Sequence, residues 1–416
     1  MGIPAQFGAL RSHNYRRYWL GSLASIGGTQ LLILGKGWLV FELSGSPFDL
    51  GLLGAASALP AILVTLFGGV LADRVDKRRL LMTTSLSIAA LLLLLAVLDA
   101  TEVVAVWHVI AIAALISLVS GLDWPARLAL FPTLIEREQL MSAVALNSML
   151  WQGTRMIVPA IGGVVIAISD TAIIFAAAAL GFGFMFYVLT SLDVKHAVRQ
   201  HGKSLTEFLE GLHFIADHQL FAALILLTMI GMFFGTSFIQ LMPVFADLLG
   251  SSEKGYGALI SALGIGSITG TLVVSAFQKA ARLGWILLAG MTLSTCTLLT
   301  LGLVTHLAGS ISSAFYIALG LMYLIGFFNS TFFISSMTAM QLRVPGGLRG
   351  RVMSIHSISF NMISLGALVG GAVAAATTLP TAVAASGSLV LCAIAWVAMT
   401  KSEIRNLHGK ELELNR

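Results

Sequence analysis

Apolar residues occur along this chain in long, predominantly uninterrupted runs that are separated by short polar connections. A helix of 18 or more apolar residues is long enough to cross about 30 Å of hydrocarbon. The runs that meet this length lie at approximately 17–41, 48–72, 80–98, 103–122, 139–167, 171–191, 219–246, 255–278, 283–305, 310–336, 350–376 and 380–399. The pattern predicts an all-α membrane protein with twelve transmembrane helices.

The composition agrees with a membrane location. Hydrophobic residues make up 57% of the 416 positions and charged residues only 10%, and the mean hydropathy is +0.93. A soluble domain carries about 25% charged residues, so this chain has too few charges to cover a surface in water. Cys296 and Cys392 both fall in apolar runs. We therefore expect two free, buried thiols with no disulfide or metal role.

Basic residues are concentrated on one side of the predicted membrane. Of the 24 Lys and Arg residues, all but Lys36, Arg155 and Lys254 fall in the N-terminus, the even-numbered connections or the C-terminus. Because positive charge stays on the cytoplasmic side during insertion, both termini are predicted to be cytoplasmic. The net charge of +5 then reflects orientation and contact with the lipid bilayer, and we expect no nucleic-acid partner.

The connection between the sixth and seventh runs is the longest. An S-x-x-E capping box at Ser204 and Glu207 opens a segment with helical spacing of apolar residues. These apolar positions are Leu205, Phe208, Leu209, Leu212 and Ile215. We expect an amphipathic helix on the inner membrane surface. It lies in a linker at 192–218 that joins an N-terminal half at 1–191 to a C-terminal half at 219–416.

The two halves repeat each other. The segment "REQLMSAVALNSMLWQGTRMIVPAIGGVVIA" from Arg137 resembles "PGGLRGRVMSIHSISFNMISLGALVGGAVAA" from Pro345. A weaker match places "GLLGAASALP" from Gly51 against "GALISALGIG" from Gly257. Two six-helix halves of parallel topology imply a pseudo-two-fold axis along the membrane normal, which is the symmetry of proteins that open alternately to either side.

The turn between the second and third runs, "GGVLADRVDKRR" at 68–79, resembles the G-x-L-A-D-R-x-G-R-[KR] signature of the major facilitator superfamily. The resemblance assigns Gly69, Asp73, Arg74 and Arg78 to a charge network that holds the cytoplasmic gate closed. Asp76 stands at the turn glycine of the signature, and we expect it to keep a left-handed backbone there. The alternative is that these charges only fix the topology.

A second stretch of sequence indicates which branch of the superfamily the chain resembles. "LDWPARLALFPTLIEREQLMSAVALNSMLWQGTRMIVPAIGG" from Leu122 is similar to a block of the enterobactin-exporter-like and macrolide-efflux-like transporters, the transmembrane secretion effectors. The resemblance covers almost the whole chain and implies the twelve-helix major facilitator fold. In the antiporter motif of helix 5, where the family has Gly-Pro, this chain has Val158-Pro159 followed by Gly162 and Gly163. The resemblance implies that this motif packs helix 5 closely against helix 8.

Asp123 follows the fourth run at its inner end. It is placed to meet Arg78 across the predicted gate. The other available partner is Arg127, one helical turn away at i+4. The residues themselves leave both pairings open.

Few polar groups lie at membrane depth. Arg155 is the only formal cation near the predicted midplane, and we expect it to hold substrate or a carboxylate, or else to bind backbone carbonyls of a neighbouring helix. Lys36 could serve transport or extend outward to the surface. Glu42 is the leading carboxylate for proton coupling, although it could simply cap the turn at 44–46. Gln30, Gln240 and Asn329 are tentative substrate ligands on the helices that line the cavity in this superfamily.

No enzyme signature occurs, and no cofactor or metal is expected. The best hypothesis is a secondary transporter of the bacterial inner membrane. It would export a small amphipathic organic compound by alternating access, with protons as the coupling ion, as a monomer. Uptake or lipid flipping by the same fold, and a receptor or scaffold without transport, are the alternatives.

Overall fold

A computed structural model of the protein describes residues 5–192, 204–277 and 282–407, and the side chains of 65–74 and of a few isolated positions lie outside that description. Within these ranges the chain is helical. The helices are α1 His13–Ser44, α2 Pro47–Arg74, α3 Lys77–Ala100, α4 Val106–Leu130, α5 Leu140–Ile168, α6 Thr171–Thr190, α7 Ser204–Asp217, α8 Gln219–Ile230, α9 Met242–Leu248, α10 Glu253–Phe277, α11 Leu283–His306, α12 Ala314–Arg343, α13 Gly346–Ile358, α14 Met362–Ala376, α15 Leu379–Thr400 and α16 Ser402–Arg405.

Among the described residues, 12 helical segments are long and apolar enough to cross a membrane, which confirms the predicted fold class. Three of these spans are not regular α-helices throughout. The fourth, Val106–Leu134, ends in a 3-10 turn at Phe131–Leu134. The seventh span, Gln219–Leu248, joins α8 to α9 through a π-helical turn at Gly231–Thr236 and a 3-10 turn at Ser237–Leu241. The eleventh joins α13 to α14 through a 3-10 turn at Ser359–Asn361.

Contacts between helices divide the chain into two units, Met1–Ser44 with Ala56–Ser204, and Gly45–Ala55 with Leu205–Arg416. In the first unit α1 packs on α5 and α6, and α3 packs on α4 and α6. In the second unit the seventh span packs on α14 and α15, and α11 packs on α12 and α15. Numbered as membrane spans, the packed pairs of the first unit are 1–5, 1–6, 3–4 and 3–6. The corresponding pairs six spans later, 7–11, 7–12, 9–10 and 9–12, are packed in the second unit. The repeat in the sequence is therefore also a repeat in helix packing.

The unit boundaries follow packing more than sequence position. The start of α2, Gly45–Ala55, groups with the second unit. A Cβ on Gly51 or Gly54 would overlap backbone atoms of α14, so these two glycines let α2 approach α14 closely. The sequence repeat alone contained no sign that α2 contributes to both units.

The amphipathic helix predicted in the long connection is α7, and it groups with the second unit. A Cβ on Gly211 would touch Arg351 of α13, and Glu210 forms an ion pair with Arg351. Ile215 is buried, while Leu209 and Leu212 remain exposed. The buried side of the helix is therefore held by α13, and its two exposed leucines are available to the membrane surface.

The expectation of buried thiols is wrong. Cys296 of α11 and Cys392 of α15 are free cysteines with exposed side chains. An apolar run in a soluble protein marks the interior, but a membrane protein also turns apolar side chains outward toward lipid. Membership in an apolar run therefore does not decide burial in this fold.

Glycines allow α10 and α12 to pack backbone against backbone. A Cβ on Gly266 or Gly270 of α10 would overlap the carbonyl oxygens of Tyr323 or Phe327, and a Cβ on Gly326 of α12 would overlap the carbonyl oxygen of Leu263. Small residues drive helix association in lipid because they permit this approach. The "GIGSITG" segment at 264–270 is therefore a packing surface.

We expect Gly326→Ala to destabilise the protein, because its methyl group must push α12 away from α10. Overpacking of this kind costs about 1–3 kcal/mol. The matched control is Gly320→Ala in the same helix, where an added Cβ meets nothing within 4 Å. Apparent unfolding midpoints of the two purified variants in detergent, at one scan rate, should differ by several degrees; equal midpoints would contradict the packing argument.

Candidate functional site

A buried ion pair lies in α4 of the first unit. Arg127 Nε donates to Asp123 Oδ2 at 2.5 Å, and both residues are at least nine-tenths buried. Thr84 of α3 donates its hydroxyl to the other carboxylate oxygen at 2.9 Å. The helix itself creates the pair, since residues at i and i+4 share one face. Of the two partners that the sequence offered for Asp123, the structure has Arg127.

Arg78 has a different role. Its Nε and Nη2 donate to the carbonyl oxygens of Leu189 and Thr190, at 2.7 and 2.6 Å. Those carbonyls belong to the last turn of α6, where the helix leaves acceptors unsatisfied and where a cation is favoured by the helix dipole. Arg78 therefore ties the start of α3 to the end of α6.

The turn before α3 is not left-handed. Asp76 has φ −59° and ψ 122°, and its carboxylate accepts from the Arg79 N–H at 2.8 Å. The carboxylate is thus an N-cap for α3, which explains why aspartate suits this position. Gly69, Asp73 and Arg74 of the same motif lie in α2 where side chains fall outside the description.

Lys36 is satisfied inside the first unit. Its Nζ donates to Ser57 Oγ of α2 at 2.8 Å, so the side chain bridges α1 and α2 and does not extend outward. Glu42, two residues before the end of α1, is exposed, and Gln30 of the same helix is buried.

Arg155 occupies the middle of α5 and its side chain is exposed. Within the described part of its own unit, the guanidinium has no hydrogen bond or ion pair. The backbone at this point is also unusual, because Pro159 has no N–H to donate to the Arg155 carbonyl. One turn further, Gly162 lets α5 approach α1, since an added Cβ would lie 2.5 Å from Leu34 Cδ2.

In the second unit, the π-helical turn forms the wall of a small pocket. The Thr236 hydroxyl, at the end of this turn, donates to the carbonyl oxygen of Gly231 at its start, at 3.2 Å. Asn329 of α12 donates its amide to Thr236 Oγ1 at 3.1 Å, and both residues line the pocket. Gln240 donates to Ser364 of α14 at 3.0 Å. The sequence indicated Asn329 and Gln240 as ligands, but nothing in it predicted the π turn that contacts Asn329 or the 3-10 turn that contains Gln240.

His356 of α13 is a candidate that the sequence analysis missed. It is only 2% exposed, and neither ring nitrogen has a hydrogen-bond partner among the described residues. Its ring stacks on Phe333 of α12, with centroids 5.4 Å apart. An ionisable side chain inside a transmembrane run is itself a signal of function, and that signal could have identified His356 beforehand.

The fold is shared with transporters of known structure. The nucleoside transporter NupG superposes with a TM-score of 0.74 at 13% identity, over 94% of this chain and 99% of that one. A bacterial homologue of the iron transporter ferroportin, in an inward-facing state, gives 0.71 at 15% identity, over 92% and 97%. At such identities the likeness establishes the fold alone. That fold is the twelve-helix major facilitator fold.

The match to a protein family is more specific than the likeness of folds. The model for "Transmembrane secretion effector" matches residues 4–414, and the chain belongs to this family. It is 26% identical over 343 residues to the staphyloferrin A transporter of Staphylococcus aureus, covering 81% of this chain and 83% of that protein. It is 25% identical over 402 residues to the enterobactin exporter EntS of Escherichia coli, covering 92% and 91%. The family and these relatives are transporters and not enzymes.

Removing one partner of the buried pair should be more damaging than removing both. Asp123→Ala leaves the Arg127 charge buried and uncompensated, which costs about 3–5 kcal/mol, whereas a well-packed apolar pair can be nearly neutral. We therefore expect a lower unfolding midpoint for Asp123→Ala and partial recovery in Asp123→Leu combined with Arg127→Leu. Arg78→Gln, which leaves the pair intact, is the control. A double variant no more stable than Asp123→Ala would contradict the pairing.

Proposed function

We propose that this transporter exports a small amphipathic organic compound with an acidic or strongly hydrogen-bonding group, in exchange for protons. The observation that carries the proposal is Arg155. It is a guanidinium at the middle of a membrane span, exposed and without a partner among the described residues of its unit. A cation there costs at least about 2.5–3.5 kcal/mol on insertion scales, so a function must offset it. The enterobactin exporter among the relatives supports export.

The second unit has hydrogen-bonding ligands of its own. Asn329 and Gln240 use their amide N–H groups on Thr236 and Ser364, which leaves their carbonyl oxygens as acceptors. Oriented amides among apolar walls suit an amphipathic molecule better than an inorganic ion.

Alternating access needs closures that form and break. We assign the inner closure to the motif of Gly69, Asp73 and Arg74, together with the Asp123–Arg127 pair. We assign the outer closure to the glycine contact of α2 with α14 at Gly51 and Gly54. Asp73→Asn, assayed beside the Arg155 variants described below, tests the inner assignment, and an unaltered transport rate would remove Asp73 from the gate.

Two groups compete as the site of proton coupling. Glu42 is an exposed carboxylate near the end of α1, and His356 is a buried imidazole with both ring nitrogens unpaired among the described residues. The proposal favours His356, because an ionisable side chain inside a membrane span marks a functional position. The proposal includes a location in a bacterial inner membrane with both termini in the cytoplasm, as the distribution of basic residues predicts.

Replacing Arg155 should reduce transport without preventing insertion. In everted vesicles supplied with labelled enterobactin or staphyloferrin A, we expect Arg155→Gln to lower the initial rate by about tenfold, since a lost charge-assisted hydrogen bond is worth about 1.5–3 kcal/mol. Arg155→Lys should transport at a rate between those of the wild type and Arg155→Gln. Lysine keeps the positive charge but lacks the planar guanidinium that can donate two parallel hydrogen bonds. Lys254→Gln, which removes an exposed cation from the first turn of α10, is the control. Wild-type transport by Arg155→Ile, which copies Ile363 of the second half, would exclude a transport role.

The orientation can be tested by thiol labelling. Both native cysteines are exposed, so the background is Cys296→Ser with Cys392→Ser. We expect Thr101→Cys and Ser252→Cys to react with an impermeant maleimide on intact cells, because they lie in connections nearly free of basic residues. His218→Cys should react only after the membrane is opened. The reverse pattern would overturn the assigned topology.

A further inference from the structure

The pocket beside the π-helical turn of the second unit is small and rich in oxygen atoms. Four polar side chains, from the turn itself, α11 and α12, are among its lining residues: Thr236, Ser294, Thr295 and Asn329. None of the described lining residues carries a charge. The space inside is about 20 Å³, and one water needs about 10–15 Å³. The pocket is therefore the size of a single water molecule or a single bare ion.

The turn, α11 and α12 meet at Gly231, which also lines the pocket. A Cβ on this glycine would lie 2.7 Å from Met291 Cε of α11 and 4.0 Å from Phe332 Cε1 of α12. A glycine presents only backbone atoms to a pocket. The close approach therefore places the polar side chains of α11 and α12 beside the irregular backbone of the seventh span.

Three of the four side chains offer oxygen lone pairs to this pocket. Thr236 donates its one proton to the Gly231 carbonyl, so Asn329 must meet Thr236 Oγ1 with an amide N–H. This bond fixes the orientation of the Asn329 amide and leaves Oδ1 as an acceptor. Thr295 donates its proton to the carbonyl of Met291 at 2.8 Å, so its oxygen can only accept in any further contact.

The fourth side chain is a buried hydroxyl that the protein does not satisfy. Ser294 is 9% exposed, and its hydroxyl has no hydrogen-bond partner among the described residues. The nearby Thr292 and Thr295 of the same helix each donate to a carbonyl one turn earlier. A buried polar group without a protein partner is costly, and such groups mark a bound water or ion.

The number of acceptors favours an ion over a water. A water molecule has two protons, so it can donate to only two of the four oxygens at once, whereas a cation can accept lone pairs from all of them. Mg²⁺ and Ca²⁺ are bound mainly through carboxylates, and the described lining residues include none. Neutral oxygens beside an interrupted membrane helix are the setting in which transporters bind Na⁺.

We propose that this pocket binds one Na⁺ ion through Asn329 Oδ1, Ser294 Oγ, Thr295 Oγ1 and Thr236 Oγ1. The ion joins the irregular turn of the seventh span to α11 and α12. The inference goes beyond the proposed function and does not rest on it, because its ligands and its test concern ion binding alone. Asn329 Oδ1 has two lone pairs, so the ion leaves one of them for an exported compound.

The test is the thermal stability of the purified, full-length protein in nanodiscs of neutral lipid. Unfolding midpoints are measured in NaCl, KCl and choline chloride at one ionic strength. We expect Na⁺ to raise the midpoint in a saturable manner, and K⁺ to require higher concentrations for the same rise. Choline should have no effect, because it is too large for the pocket.

Three results of this titration would overturn the proposal. A midpoint that does not depend on Na⁺ would mean that the pocket holds water. An equal rise in all three salts would be an effect of ionic strength. A rise with K⁺ equal to or larger than that with Na⁺ would make the assignment to Na⁺ wrong.

Two variants of α11 locate the ion. Thr295→Val and Ser294→Ala should each weaken the apparent Na⁺ affinity by about tenfold or more, since even outer-shell partners of metal ligands are worth about 10–100-fold. Thr292→Val is the matched control, because Thr292 makes the same bond to a carbonyl one turn earlier, at 2.8 Å, and is not a lining residue. Unchanged Na⁺ affinity in both Thr295→Val and Ser294→Ala would exclude this pocket.

Ser294→Ala also separates loss of the ion from damage to the fold. Its hydroxyl has no protein partner among the described residues, so in choline chloride the variant should unfold at the wild-type midpoint or slightly above it. Its stability should fall below that of the wild type only when Na⁺ is present. A deficit of equal size in both salts would assign Ser294 a structural role and contradict the ion site.

Failure of this proposal is distinct from failure of the proposed function. Na⁺ binding with no transport of any tested compound would remove the proposed function and leave the ion site in place. Export that proceeds normally in a protein whose stability ignores Na⁺ would remove the ion site and leave the export function.

Discussion

The cost of placing a charge in hydrocarbon governs the arrangement of polar groups in this protein. Each basic side chain at membrane depth must find a partner or face a cavity. Lys36 takes the hydroxyl of Ser57, and Arg127 takes the carboxylate of Asp123. Arg155 has neither kind of partner among the described residues of its unit and is exposed. Of these three cations, Arg155 is therefore the one that the proposed function assigns to a ligand.

Most of the fold could be predicted from the hydropathy of the sequence and from its internal repeat. Twelve apolar runs became twelve spans because a run of that length has few other stable outcomes in lipid. The repeat between the segments from Arg137 and Pro345 became a repeat of helix pairs. Both signals are properties of long segments, and averaging over many residues makes them robust to local detail.

Local geometry was harder to predict for the opposite reason. Asp123 had two candidate partners, and the choice depended on where α3 meets α6, since that contact draws Arg78 to the carbonyls of Leu189 and Thr190. The two cysteines were predicted to be buried but are exposed on the helix surface. Hydropathy does not distinguish a side chain that faces lipid from one in the protein interior. His356 was missed because the search was for formal charges, although a buried imidazole without hydrogen-bond partners among the described residues is also costly.

Interrupted helices occur beside the candidate ligands in both units. Pro159 deprives the Arg155 carbonyl of its donor in α5, and the π turn at Gly231–Thr236 shifts the bonding register of the seventh span next to Asn329. In a membrane, backbone groups freed in this way are tolerated where they are buried in protein or line a cavity. Transporters commonly build substrate sites from such helices. A regular helix offers a ligand only side chains, whereas these two offer backbone carbonyls as well. In the proposed function, the irregular turns supply backbone acceptors beside the side-chain ligands.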